Sequence, residues 1–197
     1  MNRLLRRARA TGVLAVLVGG ISSLLASTQP WMLVTLADGN ADTLEVVGSD
    51  AVALFAPLSL AALALGLALT IVGRVLRYIF GVVAVALGIG LAAAAASALP
   101  APLGAYATAV TEATGLGGVD AIASLVDHVA VTGWPVAALI GGILVATGGV
   151  WTLATARSWG SGGRRYDATT ATAPAGSRPH DAIDDWDDLS RGTDPTT

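Results

Sequence analysis

Four stretches of this chain contain no Asp, Glu, Lys or Arg: residues 11–28, 51–73, 78–99 and 134–156. Wound as helices at about 1.5 Å per residue, apolar runs of roughly 18–23 residues match the roughly 30 Å hydrocarbon core of a bilayer. In hydrocarbon every backbone N–H and C=O must be paired within its own segment, so the stretches predict helices. Composition agrees. Hydrophobic residues make up 54% of the chain and charged residues 13%, against about 25% charged in a water-soluble domain. The expected fold is an all-α membrane protein: a four-transmembrane-helix bundle over residues 1–156, then a flexible, disordered cytoplasmic tail over 157–197.

The first apolar stretch is short and follows Arg3, Arg6, Arg7 and Arg9, so a secretory signal peptide is the alternative to a span. The exit Ala26-Ser27-Thr28-Gln29-Pro30 lacks a clean small-x-small cleavage site, which favours retention. The arginines also set the orientation. There is no Lys, and all 11 Arg fall at the N-terminus, in the Arg74–Arg77 turn, or from Arg157 onward. The segments 29–50 and 100–133 carry only acids: Asp38, Asp42, Glu45, Asp50, Glu112, Asp120 and Asp127. By the positive-inside rule both termini and the middle turn face the cytoplasm of a multi-pass plasma-membrane protein, and the two longer loops face outward.

Within those outer loops, the β-prone runs 31–36 and 43–47 flank Asp38-Gly39-Asn40, which predicts a small hairpin. An interfacial helix is expected over Val119–Val131, with Asp120, Ser124, Asp127 and His128 on one face and Ile122, Leu125, Val126 and Val129 on the other. Inside the spans, small residues recur every fourth position: Ala62, Gly66 and Thr70; Ala84, Gly88, Ala92 and Ala96; Ala138, Gly142 and Ala146. Such stripes let helix backbones approach closely. The hydroxyls of Ser22, Ser23, Ser27, Ser59, Ser97 and Thr152 are expected to bond their own helix backbones.

Several classes of chemistry are disfavoured. Without Cys there is no disulfide, thiolate nucleophile or sulfur-ligated metal. No ionisable group lies inside a span, which argues against ion coupling. A lone His128 lacks the converging ligands a metal needs. The acidic cluster Asp184, Asp185, Asp187 and Asp188 lacks calcium-loop spacing. No phosphate loop or paired intramembrane carboxylates occur, so neither an enzyme, a cofactor, a metal nor a nucleic-acid partner is expected. Trp31, Trp134, Trp151, Trp159 and Tyr78 read as an aromatic belt, with Trp31 and Trp134 as the sharper candidates for an outward-facing pocket. In the tail, Ile183, Trp186 and Leu189 form a short apolar ridge in an acidic setting, able to dock as a helix.

Four stretches together resemble a known family. They are Gln29-Pro30-Trp31; Gly48-Ser49-Asp50 with Ala56-Pro57-Leu58; Thr132-Gly133-Trp134-Pro135; and the terminal Trp186-Asp187-Asp188-Leu189-Ser190-Arg191-Gly192-Thr193-Asp194-Pro195-Thr196. The chain resembles the actinobacterial tryptophan-associated transmembrane proteins, encoded among or beside tryptophan-biosynthesis genes. It departs from their pattern at Thr193, where an acid is common, and at Trp159-Gly160 and Arg164-Arg165-Tyr166, where a Trp-Pro step and a Ser-Arg-Tyr are usual. The resemblance implies a link to tryptophan metabolism and no particular activity. The favoured expectation is an accessory or scaffold protein in the lipid bilayer. Its tail, through Ile183, Trp186, Leu189, Ser190, Arg191, Gly192, Asp194 and Pro195, docks a cytoplasmic tryptophan-pathway enzyme. The alternative is a small transporter or sensor for tryptophan, indole or a precursor, with a homo-oligomer supplying the pathway.

Overall fold

The computed structural model describes residues 2–37 and 43–158, with the backbone alone at 2–9, 74 and 158. The tail positions singled out above lie outside these residues, as do Asp38-Gly39-Asn40 and Trp159. Seven α-helices and three strands are described: α1 (Asn2–Ser27), β1 (Pro30–Leu36), β2 (Thr43–Val47), α2 (Gly48–Ala51), α3 (Phe55–Ala68), α4 (Arg74–Ala98), α5 (Leu103–Thr114), α6 (Val119–Leu125), β3 (Val126–Val131) and α7 (Trp134–Thr155). A single 3-10 turn, Ala156–Ser158, follows α7.

Three helices are long and apolar enough to cross a membrane, over Ala10–Ser27, Val75–Ala98 and Trp134–Thr155. The stretch expected as a span over 51–73 is shorter than hydropathy suggests. Its helix α3 has 14 residues, or about 21 Å at the α-helical rise. Pro57 is one reason: it has no N–H and is tolerated only in a helix's first turn, so α3 begins at Phe55. Val52 before it is extended, at φ −140° and ψ 93°. Beyond Ala68 the chain tightens into a turn in which the Thr70 and Ile71 amides donate to the Leu67 and Ala68 carbonyls.

Helix α7 runs antiparallel to both α1 and α4 and packs between them. Two glycine doublets spaced one heptad apart do this. Gly141 and Gly148 face α1, where a Cβ on either would meet the Gly19 or Gly12 carbonyl at 3.0 Å. Gly142 and Gly149 face α4, where a Cβ would fall 2.6 Å from the Ala92 nitrogen and 2.8 Å from the Val85 nitrogen. The expected stripes serve packing in part: a Cβ on Gly88 would strike the Ala146 backbone, and one on Gly66 would reach Leu17 and Val16 of α1, while Thr70 and Ala96 are exposed. Ala62, Ala84 and Ala138 are fully buried. In hydrocarbon, where burial of apolar surface gives no drive, this close fit is the source of cohesion.

The chain is not all-α. A three-stranded antiparallel sheet of order β2-β1-β3 belongs to a cap, with α2, α5 and α6, at the end of the long helices where α1 finishes and α7 begins. The expected hairpin strands are present as β1 and β2. The expected helix Val119–Val131 is half right: α6 stops at Leu125, and Val126–Val131 is strand β3, paired with β1 from Met32↔Val131 to Leu36↔Val126. The β-branched valines of that segment suit a pleated surface, and the open edge of β1 supplies the hydrogen bonds. Helix α5 was not expected. It follows Pro102 in extended conformation and ends at Gly115 in the left-handed region, with its Ala105 and Val110 buried in the cap.

Candidate functional site

Where chain leaves α1, the last carbonyls of the helix lack intrahelical donors. Trp31 supplies one. Its indole Nε1 donates to the Ala26 carbonyl at 2.8 Å, and the Gln29 amide donates to the same oxygen at 3.2 Å. The ring is 0% exposed and meets Phe55 edge to face, centroids 5.0 Å apart. Room for it comes from Gly48, where a Cβ would lie 2.5 Å from the indole atoms. The register of β1 against β2 shifts between Pro30 and Met32, so Trp31 sits in a bulge that turns it into the cap.

The third strand is tied to the same place. The Thr132 amide donates to the Trp31 carbonyl at 2.9 Å, and the Thr132 hydroxyl donates to the Pro30 carbonyl at 2.7 Å. That hydroxyl also accepts from the Trp134 amide at 3.3 Å, which starts α7 with Pro135 buried at its first turn. The Gly48 amide donates to the Gln29 carbonyl at 3.1 Å. Residues of three of the four stretches that carry the family resemblance, Gln29 to Trp31, Gly48 and Thr132, thus meet at Trp31. Its role here is architectural: Trp31 offers no surface to an outer ligand, which corrects its reading as a pocket wall. Trp134, its expected companion, is 40% exposed.

At the opposite end of the helices, sequence reasoning missed Arg77, which hydropathy reads only as a flanking charge. It is 3% exposed. Its guanidinium donates to the Ala156 carbonyl at 3.2 Å and to the Val72 carbonyl at 3.3 Å. Both acceptors close a helical segment, where carbonyl dipoles present partial negative charge. One side chain in the first turn of α4 therefore fastens the end of α7 and the turn after α3. The signal available was spacing: Arg77 lies one turn inside the helix, whereas Arg74 begins it.

Hydroxyls inside the helices behave as expected, with one exception. Ser22, Ser27, Ser59, Ser97 and Thr152 donate to carbonyls three or four residues back in their own helices, at 2.7–3.1 Å. Ser23 Oγ is buried without a hydrogen-bond partner, against the seam where Gly141 approaches α1. Asp120, Asp127 and His128 are exposed. Among the described residues no group of three His, Cys, Asp or Glu could hold a metal ion.

Apolar helices of spanning length, closely seamed by glycine and crowned at one end by a small mixed cap, define an integral membrane protein. Its family follows from the sequence pattern that builds this knot and continues beyond it. The chain belongs to the tryptophan-associated transmembrane protein family, which it matches over residues 13–196. No curated protein and no solved structure matches it.

Proposed function

We propose that this chain is a four-span accessory protein of the plasma membrane, linked to tryptophan biosynthesis, whose cytoplasmic tail docks a tryptophan-pathway enzyme. One observation carries the reading. Gln29, Gly48 and Thr132, from three of the four family stretches, pack or bond at Trp31. The fourth, the terminal Trp186-to-Thr196 stretch, is the most specific part of the resemblance, combining a Trp, a Leu-Ser-Arg-Gly and an Asp-Pro-Thr. A motif that follows a long polar tether suits recognition of a soluble partner. The role is that of a mount rather than a catalyst.

In this reading α3 is the fourth span, lengthened by the hydrogen-bonded turn through Val72 and by local thinning of the bilayer. The arginines at the helix ends away from the cap lie in the cytoplasm, and the acidic cap lies outside. The transport or sensing alternative finds less support, because the α1–α7 and α4–α7 seams are closed backbone against backbone and Trp31 is consumed in packing.

The test is affinity purification of the full-length chain from native membranes beside a version stopped after Tyr166, with co-purifying proteins identified by mass spectrometry. Tryptophan-pathway enzymes should accompany the full-length chain and disappear with the truncation. Identical partners for both versions, or none, would remove the docking role.

A further inference from the structure

In a sheet of order β2-β1-β3 the middle strand is paired on both sides and β3 on one. The Thr132 amide donates to the Trp31 carbonyl, and the β1–β3 register then runs unbroken from Met32↔Val131 to Thr35↔His128. Along an antiparallel strand, backbone groups turn to a given neighbour at every second residue. Thr132, Ala130 and His128 therefore address β1, whereas Val131 and Val129 present their N–H and C=O to the opposite edge. Among the described residues nothing hydrogen-bonds to those groups. Val131 is 37% exposed, and the register shift beyond His128 ends the open edge at Asp127.

Outward N–H and C=O groups on a strand specify their occupant, an extended chain that adds as a further strand. Charge narrows the choice. Segments 29–50 and 100–133, which build the cap, carry acids and no Lys or Arg. Asp127 is exposed at the end of the open edge, and exposed Asp120 lies on α6, which leads into β3. A second copy of this chain would bring its own acidic cap against this one, and like charges oppose that pairing. A segment with Lys or Arg meets the opposite sign. We propose that β3 is a docking edge for an extended, basic segment of a partner protein, bound by strand addition on the cap's side of the membrane. The assignment concerns the cap alone and is independent of what the tail binds.

The test uses the full-length protein in a nonionic detergent and short fluorescein-labelled peptides. One alternates Lys and Val, one alternates Glu and Val, and one is the Lys–Val peptide N-methylated along its whole backbone. Binding is read by fluorescence anisotropy and located by amide hydrogen exchange. The Lys–Val peptide should bind and slow exchange at Val129 and Val131. The other two should bind about tenfold more weakly, the N-methylated one because it keeps the charge and cannot complete the ladder. Val131→Pro removes one outward N–H and leaves the bonds to β1 in place, so it should weaken the Lys–Val peptide about tenfold at an unchanged melting temperature. Should that variant melt early, Asp127→Lys keeps the edge and should shrink the preference for Lys–Val over Glu–Val. No binding of the Lys–Val peptide, or equal binding of its N-methylated form, would overturn the proposal. So would exchange slowed only outside β3, or protein dimers that exclude the peptide.

Discussion

Trp31 performs two separable jobs, filling space and donating a hydrogen bond to the end of α1, and substitutions can divide them. Trp31→Ala should destabilise the protein by about 3–5 kcal/mol, the usual cost of emptying a large aromatic site. Trp31→Phe keeps a ring against Phe55 and loses the bond to the Ala26 carbonyl, so about 1–2 kcal/mol is expected. Both follow from denaturant unfolding in detergent monitored by circular dichroism. Gly48→Val should resemble Trp31→Ala, because its side chain must displace the indole. Arg77 makes a second residue-scale test. Arg77→Leu loses two hydrogen bonds from a charged donor, and a loss of about 2–4 kcal/mol is expected in the same assay. Arg77→Lys should recover only part, since one ammonium cannot reproduce the spread of a guanidinium that reaches two helix ends.

At the scale of elements, glycines on one helix should differ sharply in tolerance. Gly88 and Gly90 are two residues apart on α4, but a Cβ on Gly88 runs into the backbone of Ala146 while one on Gly90 meets open space. Gly88→Leu should therefore part α4 from α7 and lower the melting temperature by well over 10 °C, roughly the shift that several kcal/mol produce. Gly90→Ala should be neutral or stabilising by about 0.5–1 kcal/mol. Thermal melting of the purified variants decides both. The elements also differ in how visible they were in advance. Helices α1, α4 and α7 were legible because lipid demands an unbroken apolar run, and their seams because small residues recur on one face. Strand β3 was not. Asp127 and His128 fit a helical face as well as a strand, and the choice is made by β1, almost 100 residues away, whose open edge no local pattern reveals. Helix α5 is rich in Ala and Thr with little periodic contrast, so its packing against the cap is what orders it. Trp31 misled for a related reason. A tryptophan beside a helix end reads as an interface residue until Gly48 is known to leave a space for it.

For the whole molecule, the proposed orientation makes opposite predictions for its two ends, and the absence of cysteine makes them easy to read. Asp127→Cys, at an exposed position on β3, should react with a membrane-impermeant maleimide added to intact cells. Arg157→Cys should react only after the membrane is opened. The reverse pattern would invert the protein. Within the cap, the strand order β2-β1-β3 ties the chain leaving α1 to the chain entering α7, with Thr132 bonded to Pro30 across 102 residues. That order has a consequence for biosynthesis. When β1 emerges from the ribosome it can pair at once with β2, but its other edge must wait for β3. At typical synthesis rates of about 5–20 residues per second the wait is roughly 5–20 s, and within it, under the proposed four-span topology, α3 and α4 are inserted. A nascent chain with a misplaced α4 delivers β3 to the wrong side of the membrane and leaves β1 half-paired. Completion of the sheet thus depends on the placement of every helix between its strands.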